Sequence, residues 1–199
     1  SAAVADAAGG EGEIGVNACI AAGDSHDVTL SYEHAQALKA IANGQSARDI
    51  IVKQVFEYAA NKWPSKWHEL SPLPFRFASW VGYDMDGRTD IKWFDSIGFR
   101  LAEKAARIEQ YTKELEAIDG NHPVLEILRP ALNYATDRAA DFGKDLTDPD
   151  ALSDAANRLT AEHPHKLLSL NPIIDLLESD LLLVSTEKAI QIKTLSASM

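Results

Sequence analysis

The chain has 199 residues, 46% of them apolar and 8% aromatic, with a formal net charge of −11. That is enough apolar mass to bury a core, which excludes a disordered polar tract. The acidic balance argues against nucleic acid and against anionic membrane surfaces as partners. A single cysteine, Cys19, excludes an internal disulfide framework and fits a reducing, cytoplasmic setting.

The length suits one large domain or two small ones. No apolar run approaches the roughly 20 residues that span a bilayer. The N-terminus carries no basic region of the kind that opens a signal peptide. With no initiator Met, the expectation is a processed or truncated chain. Residues 1–28 are rich in Ala and Gly with scattered acids and read as a flexible leader, with Cys19 a small apolar residue rather than a nucleophile. Residues 29–199 read as a single all-α domain of helical hairpins forming a bundle.

Residues 29–63 are expected to form a helical hairpin. Ser31 caps a first helix that stops at Asn43-Gly44, and Ser46 opens a second through Lys62, with Asp49 completing an approximate capping box. Ile50, Ile51, Val55, Phe56 and Ala59 supply its apolar face, and Pro64 ends it. The signature region follows over residues 64–92. From Trp93 to about Ile118 the spacing predicts the longest helix. Its stripe is Ile97, Leu101, Ile108, Tyr111, Leu115 and Ile118, broken once by Lys104. Glu103 with Arg107 and Glu109 with Lys113 are i,i+4 pairs on its solvated face.

Residues 93–199 are expected to be antiparallel helices. A turn at Gly120-Asn121-His122-Pro123 leads into a helix to about Phe142, striped by Val124, Leu128, Leu132, Ala135 and Ala139 and stopped by Gly143. Asp148-Pro149 supplies an N-cap and an N1 proline for a helix to about Thr160. Asn171-Pro172 repeats the device for a terminal helix carrying Ile173, Leu176, Leu177, Leu181 and Val184. No convincing strand alternation appears beyond Phe75 to Val81.

The most distinctive stretch runs from Phe75 to Asp90. An apolar run meets a loop holding three aspartates, two glycines and one arginine within nine residues. Asp84, Asp86 and Asp90 alternate as in the start of a calcium loop. However, Gly87 falls at the fourth position and not the sixth, and Asp95 stands where the terminal Glu belongs. The expectation is therefore a structural loop with no metal, in which Asp side chains accept backbone N–H groups and Gly87 takes an unusual φ. Arg76 and Arg88 are the residues able to grip an anion or carboxylate bidentately, against the plainer expectation that each pairs with a neighbouring aspartate. Trp63, Trp67, Trp80 and Trp93 cluster around the loop and are expected to form a satellite core. Among the six histidines, none has metal-ligand spacing. His68 is expected to be a hydrogen-bonded surface residue, and His163-Pro164-His165 a turn. No catalytic residue is assigned.

Arg76, Phe77, Ser79, Trp80, Gly82, Asp84, Asp86 and Gly87 also carry a family resemblance. They match the R-F-T-S-W-M-G-G-D-R-D-G-N-P signature of phosphoenolpyruvate carboxylases, with Trp67 to Pro74 as a similar lead-in. The match covers about a quarter of the chain and departs from the pattern at Tyr83, Met85 and Arg88. The resemblance implies a helical portion of that family's α-rich barrel scaffold. It also implies a loop of Arg76, Trp80, Gly82, Asp84, Asp86, Gly87 and Arg88 near subunit contacts and the region where anionic activators bind.

The parent reaction joins phosphoenolpyruvate and bicarbonate to give oxaloacetate and phosphate, a lyase-class step of carbon fixation using Mg²⁺ or Mn²⁺. The family's T-A-H-P-T histidine, acidic metal ligands and C-terminal glycine-rich loop are absent from these residues. The segment itself is thus expected to hold no cofactor and to be inactive alone. Its partner would be the rest of the parent polypeptide or a homo-oligomer, with no nucleic acid and no membrane. The alternative is an all-α regulatory or protein-interaction domain without enzymatic activity.

Overall fold

The computed structural model describes residues 29–72, 75–84, 91–179 and 181–199. Among these the chain is all-α, with six α-helices, one short 3-10 turn at Trp67–Glu69 and no strand. The leader with Cys19 and His26, and the loop residues Met85, Asp86, Gly87, Arg88 and Asp90, lie outside the described residues.

Helix α1, Leu30–Lys62, is one continuous helix where a hairpin was expected. Its cap is Thr29, whose hydroxyl accepts the Tyr32 N–H at 3.2 Å, two residues before Ser31. Ser46 starts nothing: its hydroxyl donates to the Ala42 carbonyl one turn back, at 3.0 Å. Gly44 is a seat rather than a stop. A Cβ there would lie 2.7 Å from the Phe77 ring, so the glycine admits that ring against the helix. An interior glycine weakens a helix by only about 1 kcal/mol, which tertiary packing readily outweighs. The apolar face is also rotated from expectation. Val52, Phe56 and Ala59 are buried, while Ile50, Ile51 and Val55 are exposed. The Trp63 N–H closes the helix on the Ala59 carbonyl at 2.7 Å, and Pro64 follows.

Helices α2 (Trp93–Ile118) and α3 (Leu125–Phe142) have the expected limits and pack along one another. Ile108, Tyr111 and Leu115 are buried against Leu125, Leu128 and Ala135. The odd residue in the α2 stripe has a use: Lys104 donates to the Leu167 carbonyl at 2.5 Å, tying the segment around Leu167 to α2. Burial, with Lys166 nearby, lowers its pKa. Of the two expected surface pairs, Glu109–Lys113 forms at 2.6 Å. Glu103 instead turns away from Arg107 toward the signature segment.

Helix α4, Pro149–Thr160, begins as expected on Asp148, which accepts the Ala151 N–H at 3.2 Å. Lys166 covers its other end by donating to the Leu159 carbonyl at 2.8 Å. The expected terminal helix is two helices, α5 (Asn171–Ser179) and α6 (Thr186–Ser198). A turn intervenes, and Ser185 caps α6 by accepting the Lys188 N–H at 3.3 Å. Helix α6 carries no apolar stripe, because Ala189, Ile190, Ile192, Lys193, Leu195, Ser196 and Ser198 are all buried, leaving little polar face.

One core gathers Phe56, Leu115, Leu125, Leu128, Ile173, Leu177 and Ile192 from α1, α2, α3, α5 and α6. Each such side chain contributes about 1.5–3 kcal/mol by burial. A smaller cluster of Phe142, Leu146 and Ala155 joins α3 to α4. Beside it, buried Asp141 draws in Arg138, Arg158 and Lys144 at 3.1, 3.0 and 3.4 Å. Burial alone would raise the Asp141 carboxyl, but these three cations hold it below its ordinary value.

Only Trp67 among the four tryptophans enters the core. Trp63, Trp80 and Trp93 are exposed, so the expected satellite core does not form. Among the described residues no helix is long and apolar enough to cross a membrane.

Candidate functional site

Residues 75–84 of the signature lie over α1 and α2, held there by a few specific contacts. Ser79 accepts the Val81 N–H at 3.1 Å, and the Tyr83 N–H returns to the Trp80 carbonyl at 3.0 Å. In the resulting turn Gly82 has φ +86°, the position at which a type II turn calls for glycine. A second constraint falls on the same residue. A Cβ at Gly82 would lie 2.5 Å from the Phe99 ring. Ser96 then donates to the Gly82 carbonyl at 2.6 Å, joining the turn to α2.

Tyr83 is part of this anchorage. Its hydroxyl donates to Glu103 at 2.8 Å, and the Arg100 guanidinium sits 4.3 Å from its ring centre. Burial first, and then the Glu103 carboxylate, push the phenol well above its ordinary pKa. The same Glu103 oxygen meets His34 Nε2 at 3.0 Å. A carboxylate only accepts, so that nitrogen carries the hydrogen. The buried His34 ring stacks on Phe99 at 4.0 Å. Glu103 therefore joins α1, α2 and the signature turn. Periodicity placed it on a solvated face, and a residue 69 positions away could not be seen as its partner.

The other sequence-assigned residues are scattered. Trp80 is 77% exposed, and Asp84 is exposed and makes no hydrogen bond among the described residues. Arg76 is exposed and forms no ion pair among the described residues, and two of the aspartates expected to pair with it, Asp86 and Asp90, lie outside them. Among the described residues Gly82 is the glycine with positive φ, while the expectation for Gly87 falls outside them. His68 also differs from expectation: its Nδ1 is buried without a hydrogen-bond partner.

Arg76 and Phe77 do border a cleft of about 370 Å³, closed on its other sides by Arg48 from α1, Arg107 from α2, Glu178 from α5 and Lys193 from α6. Arg48 and Lys193 are deeply placed, with side chains 5% and 7% exposed. Each has an acidic partner, Asp49 for Arg48 and Glu178 for Lys193, both at 2.7 Å. Among the described residues Arg107 has only neutral acceptors: Gln45 at 2.5 Å, Gln110 at 2.8 Å and the Ser198 carbonyl at 3.4 Å. The wall is completed by Tyr111, whose hydroxyl donates to the same carbonyl at 3.0 Å. Burial raises the Tyr111 pKa against the opposing pull of Arg107 and Arg48. Four cationic side chains thus face one acidic side chain in a chain whose net charge is −11.

No protein-family model, curated protein or solved structure matches this chain.

Proposed function

We propose that this chain is a helical, non-catalytic segment of a phosphoenolpyruvate carboxylase-like protein. The observation that supports this reading is the built character of the motif. Its Ser79, Trp80 and Gly82 form a turn that requires glycine twice over, by φ and by the approach of Phe99. Glycine at this motif position is therefore a structural requirement of the turn. In this reading the segment supplies scaffold and a subunit contact in the cytoplasm. The rest of the parent supplies the catalytic histidine, the Mg²⁺ or Mn²⁺ ligands and the glycine-rich loop.

The test is the reading frame of the gene, followed by an assay. The expected frame is several times longer, with T-A-H-P-T upstream and a glycine-rich loop downstream. The isolated chain is expected to form no oxaloacetate from phosphoenolpyruvate and bicarbonate. A frame of about this length, or carboxylation by this polypeptide alone, would overturn the proposal.

A second reading, a protein-interaction domain without enzymatic activity, is favoured by α1. Ile51, Val55 and Tyr58 are 49%, 41% and 60% exposed and recur at steps of four and three along one face. Light scattering on the chain and on Val55→Glu tests it. A wild-type dimer that the substitution dissociates supports it, and a monomer in both cases removes self-association.

A further inference from the structure

We propose that the cleft between α1, α2, α6 and the signature segment binds a small oxyanion carrying two negative charges, of the phosphate or dicarboxylate type. Two of the four cations in the cleft are already neutralised. Arg48 and Lys193 have carboxylate partners, whereas Arg107 and Arg76 have none among the described residues. A guanidinium has five N–H donors in a planar fork that matches an oxyanion edge. Arg107 directs Nη1 to two side-chain amide oxygens and Nη2 to one carbonyl, so its positive charge is hydrogen-bonded but not balanced. Arg48 uses Nε and Nη2 on a single Asp49 oxygen and leaves Nη1 without a protein partner among the described residues. These groups line the same cleft as Arg76, which stands at its solvent side.

Size and support fit the assignment. A space of about 370 Å³ is at the small end of ligand pockets. The floor is rigid. The buried Arg48 and Lys193 are held by short ion pairs, and Tyr111 by its bond to the Ser198 carbonyl. Arg76, in contrast, is exposed and free to close on a bound anion. Charge-assisted N–H to oxyanion bonds are about twice as strong as neutral ones, which favours such a ligand over a neutral one of equal size.

The inference stands apart from the carboxylase-like reading, because three of the four cations lie outside the signature. A parent gene without carboxylase motifs would leave it intact. A cleft indifferent to anions would leave that reading intact.

The experiment is calorimetric and NMR titration of the chain with inorganic phosphate, sulfate and succinate, each against chloride at matched ionic strength. Saturable binding is expected for at least one dianion, with shifts at Arg48, Arg107 and Lys193 and a raised melting temperature. Preference for phosphate or for succinate identifies the source as phosphoryl or dicarboxylate. Arg76→Gln, exposed and not needed for folding, is expected to weaken binding about tenfold, and Arg107→Gln by a similar factor. Responses no larger than those to chloride would overturn the proposal. So would undiminished binding in the folded Arg76→Gln/Arg107→Gln double variant.

Discussion

The α2–α3 pair and the signature turn rest on the same helix, yet they are held in different ways. Along α2–α3, stability is spread over Ile108, Tyr111, Leu115, Leu125 and Leu128, all buried and each replaceable by a neighbour of similar shape at modest cost. Along residues 75–84 there is little buried area, with Phe75, Phe77 and Trp80 all partly or largely exposed. Position there depends on two glycines, each facing an aromatic ring, and on one carboxylate shared by His34 and Tyr83. The first region is set by how much surface is removed from water. The second is set by a few contacts that admit no substitute.

The largest effect is expected where the distributed core is cut. Leu115→Ala, at a residue with no exposed surface, is expected to cost about 2–5 kcal/mol in urea unfolding, with the signature turn lost together with the rest. Gly82→Ala inverts that pattern. Left-handed backbone and the contact with Phe99 are expected to cost about 1–3 kcal/mol. Amide exchange should rise first around residues 79–84, while α2–α3 stays protected. Equal loosening of both regions would refute the distinction.

Asp141→Asn probes a third kind of support, a buried carboxylate serving three cations. At neutral pH the expected loss is about 1–3 kcal/mol, because Arg138 is left without its acceptor. The sign of the pH dependence follows from the lowered carboxyl pKa. Its contribution is complete above the unfolded value of about 3.9 and fades as pH falls through the folded one. Wild-type and variant stabilities should therefore converge in acid, which urea titrations at several pH values will show.

Smaller effects sharpen the turn. Tyr83→Phe should cost about 1 kcal/mol and lower the exchange protection of the turn without altering α3. Gly44→Ala is the most discriminating. In a Phe77→Ala background it should stabilise by about 0.5–1 kcal/mol, as an ordinary helix position does. With Phe77 present the gain should vanish, because the new Cβ meets the ring. Equal gains in both backgrounds would show that the ring does not rest on that glycine.

Where an element's own residues carry the decision, it was legible in the sequence. The a/d stripe of α2, the Asp148-Pro149 start of α4 and the Gly143 stop of α3 are local statements about periodicity and capping, and they hold to the residue. The failures share one cause, an interaction with a distant part of the chain. Asn43-Gly44 reads as a stop until Phe77 is known to occupy it. Glu103 reads as a solvated pair for Arg107 until His34 and Tyr83 reach it.

The same division applies to the candidate site. Arg76 was legible as a candidate for gripping an anion from its type and neighbourhood, although the unusual φ was expected at Gly87 and not at Gly82, where the turn has it. Arg48, Arg107 and Lys193 were not legible, because nothing within a few residues of each distinguishes it from a surface cation. By itself the sequence determined an all-α chain, most of its helix ends and one unusual turn, since hydrogen-bond periodicity and capping act over three to seven residues. The single length of α1, the burial of α6 and the gathering of four cations into one cleft were decided only by tertiary packing. Those outcomes depend on side chains brought together from 28 to 145 positions apart.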